Sequence, residues 1–463
     1  MGGVMHRVAE WIEIFDSFVW GLPLIAVLVG TGLFLTTRLT LIQLRGFRHG
    51  VSVVRGRFDD PSDPGEISHF RALTIALSAT IGTGNIIGVA AAILLGGPGA
   101  VFWMWITAFV GMATKFASCT LAVHYRRIDE HGEAHGGPMY FIELGMGPRF
   151  KWLAVLFAGF TALASFGIGN MFQASNVASA VSSLMTGDNS DSIPLRLAVG
   201  CVMAVFVGVT IIGGVKRIAA VASRLVPLMV VVYFGAGLLI LITNAASIPG
   251  ALGQIFHSAF SAPESVAGGL LGGVIRQGVA RGLFSNEAGL GSAAMAHGAA
   301  RTREPVREGL VAMLGPFIDT IVVCTITALV IIVTGAHESV SDKGLLTAAA
   351  FDAGLPGFGK VVEVSIIFFA FSTLVSWSYY GDRAVDYLFG PRAVLPYRMI
   401  YVGFILIGSV VTLDVVINFC DAMNGLMALP NLVALLALSP VVVGLTRDYL
   451  ARMKESGAAP RPQ

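Results

Sequence analysis

Apolar residues in this chain run in long stretches parted by short clusters of charged or turn-forming residues, instead of recurring on one face of each helix. A membrane-crossing helix needs about 20 mostly apolar residues to span about 30 Å of hydrocarbon. Eleven stretches meet that length, at 20–41, 70–97, 99–124, 152–185, 195–213, 218–246, 267–298, 308–335, 360–389, 397–413 and 416–446. The run of glycine and proline at 96–99 is the sharpest divider between them. Residues 4–18 mix charges (His6, Arg7, Glu10, Glu13, Asp16) with Val8, Trp11, Ile12 and Phe15. That pattern fits either an amphipathic helix in the interface or a lead-in to the first span. The polar stretch after Arg447 reads as a mobile tail.

Composition agrees with this reading. Of 463 residues 55% are apolar and only 13% charged, about half the roughly 25% of a soluble domain. Mean hydropathy is +0.78. Such a chain lacks the polar surface to coat a core in water, and its net charge of +2 offers nothing to a polyanion such as nucleic acid. Cys119, Cys201, Cys324 and Cys420 lie in separate apolar stretches and read as buried hydrophobes, not as a disulfide or metal framework. No basic stretch with a short apolar run and cleavage site opens the chain, so no removable signal peptide is expected.

Basic residues test the count of spans, because short loops rich in Lys and Arg stay in the cytoplasm. With the N-terminus outside and the C-terminus inside, cytoplasmic segments hold 23 of the 30 Lys and Arg and outer segments hold 4. Lys115, Arg276 and Arg281 remain within spans. A missed or invented helix would destroy that alternation. The expectation is an all-α polytopic protein of the cell (inner or plasma) membrane.

Two spans are unusual. The second carries Gly82, Thr83, Gly84, Asn85 and Gly88 near its middle, and the seventh carries glycines and polar residues from Gly278 to Ser292. Glycine weakens a helix by about 1 kcal/mol relative to alanine, and a freed backbone group in hydrocarbon needs a partner. Both helices are therefore expected to open. Five spans separate the two starts, so the pair stand in opposite orientations, each first in a set of five. This is the pattern of an inverted-repeat secondary transporter with discontinuous helices around a midplane site. The divisions expected are 1–66 (an added helix and cytoplasmic loop), 67–246 (first repeat), 247–446 (inverted second repeat) and 447–463 (tail).

At these residues the chain resembles the alanine or glycine:cation symporters, the sodium:alanine symporter family. The matching segments are 81–89 (IGTGNIIGV), 95–111 (LGGPGAVFWMWITAFVG), 136–142 (GGPMYFI), 281–297 (RGLFSNEAGLGSAAMAH), 371–390 (FSTLVSWSYYGDRAVDYLFG) and 424–436 (NGLMALPNLVALL). The resemblance implies the LeuT-type fold of 5 + 5 helices plus one N-terminal addition, and cotransport of a small neutral amino acid with sodium, less often a proton. Two positions depart from the family pattern. Ser118 stands where an acidic residue is expected, and Asn176 comes one position late after Gln173.

The substrate chemistry suggests a site. The N–H groups of Thr83 and Gly84, at a half-helix start, suit a carboxylate. Gln173 adds an amide, the opened seventh span offers carbonyls for the ammonium with Phe284 and Asn286 as contacts, and Trp377 walls the side-chain end. Sodium takes oxygen ligands. Carbonyls of Ser78 and Ile81 with the hydroxyls of Ser372 and Thr373 would supply them, a pairing that matches the sodium site implied by the fold, and a second sodium would sit near Asn85. No cofactor beyond the coupling ion and no obligate protein partner is expected; the partners are alanine or glycine, sodium and the bilayer. Glu287 with Arg281, and Asp382 with Arg383, read as structural or gating ion pairs. His131 and His135 have metal-compatible spacing in a charged loop. An amino-acid sensor, a channel or a uniport carrier would use the same pocket, whereas no convergent Ser/His/Asp set or metal cluster suggests an enzyme.

Overall fold

Long runs of Ala, Leu, Val and Ile favour helix wherever no water competes for the backbone. The computed structural model describes residues 2–130, 132–186, 192–261, 273–411 and 414–455, and these are almost wholly helical. Among them nine helices are long and apolar enough to cross a membrane, and His69–Thr80 with Thr83–Gly96, bent by 60°, makes a tenth. The seventh expected span enters on residues outside the description and is resolved from Gly273 onward. One small sheet occurs among the described residues, pairing Arg127–Ile128 with Ala134–His135 in antiparallel register.

The helix Ala100–His124 sits at the centre, buried along nearly its whole length. It packs against Gly273–Asn286 through small residues: a Cβ on Gly278 would fall 2.3 Å from the Ala100 carbonyl oxygen. The glycines at 278 and 282 therefore serve close approach, and the helix runs on through them. Around this centre, Ile193–Ile212 and Gly214–Thr243 present exposed Phe206, Val209, Val231 and Ile242, the surface of a protein solvated by hydrocarbon. Cys201 lies on that outer surface, contrary to the expectation of burial; Cys119, Cys324 and Cys420 are buried, and all four are free.

The two ends of the chain sharpen and correct the sequence reading. Gly2–Val19 is a helix of its own, ended before Leu22–Arg38 at Gly21. The last expected span stops at Ala437, and Ser439–Glu455 continues as a separate helix where a mobile tail was expected. Two spans also contain π-helical turns, Gly167–Met171 and Phe317–Cys324, which hydrophobicity alone does not reveal.

Candidate functional site

The first break follows from three adjacent residues. His69–Thr80 ends at Ile81, which leaves helical geometry (φ −74, ψ 91). Thr83–Asn85 forms a single 3-10 turn before Ile87–Gly96 resumes. Asn85 stabilises the opening from within: its Oδ1 accepts the Gly82 N–H at 2.9 Å. Thr83 and Gly84 open the 3-10 turn, so their N–H groups have no acceptor within it.

The second break lies further along than expected. Gly273–Asn286 is continuous helix, and the chain opens over residues 287–291 before Ser292–Gly298. Glu287 (φ 52), Gly289 (φ 99) and Gly291 (φ 92) all adopt the left-handed region. That conformation is ordinary for glycine and strained for Glu287. Asn431 Nδ2 holds the opened strand by donating to the Gly289 carbonyl at 2.8 Å, while Ser118 donates to Asn431 Oδ1 at 3.2 Å. Ser118 thus supports the break from outside it.

Between the breaks lies a small cavity of ≈ 20 Å³ lined by Thr83, Gly84, Gln173, Phe284, Glu287 and Trp377, among others. Five of the six expected substrate contacts meet there. The Thr83 hydroxyl donates to Gln173 Oε1 at 3.4 Å, and Gln173 Nε2 donates to the Ile168 carbonyl freed by the π turn, at 3.1 Å. Trp377 is fully buried, and its indole lies within reach of the Glu287 carboxylate. A Cβ on Gly169 would fall 2.5 Å from Trp377 Cβ, so the π turn sets the indole's position. Asn286 is absent from this lining: it donates to Thr320 Oγ1 at 3.1 Å and accepts the Ala288 N–H at 3.0 Å.

Ser78, Ser372 and Thr373 are also brought together. The Ser78 carbonyl accepts the Thr373 hydroxyl at 3.0 Å and the Ser372 hydroxyl at 3.3 Å, and Ser78 Oγ donates to the Ser372 carbonyl at 2.8 Å. Thr373 Oγ1 lies 2.9 Å from where a Gly82 Cβ would be, against the break that releases Ile81. A second oxygen cluster surrounds Asp319, which is not among the ligands expected from the sequence. Its carboxylate accepts Asn85 Nδ2 at 2.7 Å, Ser285 Oγ at 2.8 Å and Thr320 Oγ1 at 2.7 Å. Asp319 and Thr320 reach it from the Phe317–Cys324 π turn, a placement invisible to periodicity.

The two ends of the site differ. Thr83, Gly84, Ile168 and Phe284 also line a wider cavity of ≈ 430 Å³ that reaches residues 342–344. Asp16, Arg281 and Asp421 stand in its walls, so Arg281 does not form the expected pair with Glu287, whose Oε2 instead accepts Ser292 Oγ at 2.5 Å. At the opposite end the first broken helix is laced to the second. His69 and His297 both bond Glu308, Glu66 N–H donates to the Ala299 carbonyl at 2.9 Å, and Arg126 donates to carbonyls of Pro64, Gly298, Ala300 and Thr302. Asp382 pairs with Arg398 at 2.6 Å rather than with Arg383, which lies 3.8 Å from Asp386. His135 sits between Asp386 (2.9 Å) and Asp129 (3.3 Å); His131 lies outside the described residues.

Two helices broken beside one buried polar cavity, reachable from one end and tied shut at the other, define a secondary transporter. The sequence profile of the Sodium:alanine symporter family matches residues 5–462, and the chain belongs to that family. It is 47% identical over 444 residues to the sodium/alanine symporter AgcS of Methanococcus maripaludis, covering 95% of this chain and 96% of that one. It is 37% identical to the probable sodium/glutamine symporter GlnT of Bacillus subtilis, covering 98% of this chain and 94% of that one. Among solved structures, that of MhsT in complex with L-phenylalanine superposes with a TM-score of 0.58 at 14% identity, over 83% of this chain and 98% of the other, which bears out the LeuT-type fold.

Proposed function

We propose that this protein is a sodium-coupled importer of small neutral amino acids, alanine and glycine, working by alternating access in the cell membrane. Its N-terminus lies outside and its C-terminus in the cytoplasm, as the arginine distribution requires. The observation that carries the reading is the one-ended access to the cavity between the breaks: the wide mouth faces residues 342–344, on the outer side of this orientation.

The substrate carboxylate takes the N–H groups of Thr83 and Gly84, with Gln173 fixing Thr83. Phe284 and Trp377 close the side-chain end, which favours a small side chain. Such walls discriminate about 1–3 kcal/mol per methylene, which suits a family in which a relative is named for glutamine. Sodium lies between the carbonyls of Ser78 and Ile81 and the hydroxyls of Ser372 and Thr373; both hydroxyls turn from the Ser78 carbonyl to offer it lone pairs. A second cation belongs to the Asn85 site, where Asp319, Ser285 and Thr320 supply a charged oxygen set the first site lacks.

Radiolabelled alanine uptake into proteoliposomes, with and without an inward sodium gradient, tests this. Gradient-dependent accumulation is expected. Counterflow without ion dependence would make the protein a uniporter, and binding without uptake a sensor.

A further inference from the structure

One pocket lies apart from the transport path. Leu22–Arg38 ends in a turn where Thr40 and Leu41 both hold φ 55, a conformation that residues other than glycine rarely adopt. The Leu41 N–H closes this turn on the Thr36 carbonyl at 2.9 Å. The strained turn brings Arg38 and Arg45 to one pocket, and the separate helix Ser439–Glu455 brings Arg447 and Lys454 to the same place. Its remaining lining is mostly apolar, including Leu39, Val443 and Leu450, with no acidic side chain.

All four cations are exposed, and none forms an ion pair with a carboxylate among the described residues. This is unlike the neighbouring Arg452, which is paired with both Glu304 and Asp448. About one turn back along the Leu22–Arg38 helix, towards the hydrocarbon, Phe34 and Leu33 are exposed, and the Arg38 guanidinium lies 5.7 Å over the Phe34 ring. A concave surface with four unpaired positive charges at one end and bare apolar side chains running into the bilayer matches one amphiphile. We propose that this pocket binds the headgroup of an anionic phospholipid whose acyl chains lie along Leu33 and Phe34. The bound phosphate bridges the start of the chain's membrane domain to its C-terminal helix. This rests on the bilayer placement proposed above and is independent of the transported substrate.

Native mass spectrometry of the detergent-solubilised full chain tests it, with phosphatidylglycerol, phosphatidylcholine and inorganic phosphate as probes. Phosphatidylglycerol should be retained at least about tenfold over phosphatidylcholine, a ratio in keeping with several basic contacts. The triple variant Arg38→Gln, Arg447→Gln, Lys454→Gln should lose that preference, and the corresponding arginine-to-lysine changes at 38 and 447 should keep it. Equal retention of the two lipids by the unaltered protein overturns the proposal, even if the triple variant fails to fold. So does a folded triple variant that still prefers phosphatidylglycerol, or displacement of the lipid by inorganic phosphate alone. A chain that stays soluble without detergent would instead sink the bilayer placement.

Discussion

The Thr373 hydroxyl is shared between its own helix and a neighbouring one. Inside a membrane helix a Ser or Thr side chain normally bonds its own backbone, and Thr373 does so through the Phe369 carbonyl at 3.0 Å. It also reaches across to Ser78. If it is a sodium ligand, Thr373→Val should raise the sodium concentration for half-maximal uptake about tenfold, since one oxygen ligand is worth about 1.4 kcal/mol, while the alanine KM at saturating sodium stays within about twofold. Unchanged sodium dependence would remove the assignment. Asp319→Asn keeps the size and the bonds to Ser285 and Thr320 while removing the charge. The sodium Hill coefficient of uptake should then fall towards one, and an unaltered coefficient would confine Asp319 to a structural role. At this scale much was legible. Thr83, Gly84, Gln173, Phe284 and Trp377 were recognisable from residue type and family resemblance, and they line one cavity. Asn286 was misplaced because a helix expected to open there stays wound, which turns its amide to Thr320. Asp319 was undervalued because its three partners arrive from two other spans and a π turn.

Elements show the same division. Hydrophobic length located the spans because the bilayer thickness is the constraint being read. Where a helix breaks inside such a span depends instead on which glycines meet a neighbouring backbone. Gly278 packs on Ala100, whereas Gly289 and Gly291 open the chain. The site of the first break is tight as well: a Cβ on Gly84 would sit 3.5 Å from Ser285 Cα and 3.6 Å from the Phe284 ring. An alanine fits that space and a leucine does not. Gly84→Leu should therefore abolish uptake while the protein still inserts, as judged by membrane yield and gel filtration; normal sodium-driven accumulation would remove the carboxylate assignment. On the loop side, His135 pins the small hairpin to the Gly359–Phe389 helix. Its hydrogen bond to Asp386 holds the imidazolium, raising the His135 pKa above the ordinary 6.5 despite partial burial. A raised histidine pKa stabilises the folded form fully below the ordinary value, and that contribution disappears as pH climbs through the raised one. Hydrogen-exchange protection of the hairpin should fall as pH rises above 6.5, and His135→Gln should flatten that dependence.

For the molecule as a whole, coupling sets how far substrate can be concentrated. One charge crossing 100 mV releases about 2.3 kcal/mol and a tenfold ion gradient about 1.4, together enough for several-hundred-fold accumulation of a zwitterion with a single sodium. If Asp319 adds a second ion, the ratio at fixed sodium gradient should steepen with voltage about twice as strongly, which valinomycin-clamped proteoliposomes would read. The overall architecture was legible because long apolar stretches and alternating arginines constrain it. The separate last helix was not read, because Ser439 and Pro440, a helix-start signal after Leu438, lie inside one unbroken apolar stretch. The closed end of the site has a consequence for the cycle. A single guanidinium, Arg126, grips four carbonyls contributed by segments on both sides of the passage, and it does so beside the His69–Glu308–His297 bonds and the Glu66–Ala299 contact, so this end is a stitched seam with one many-pronged clasp in it. Undoing the clasp strands four acceptors at once, so the guanidinium and the two histidines must let go together for the passage to part.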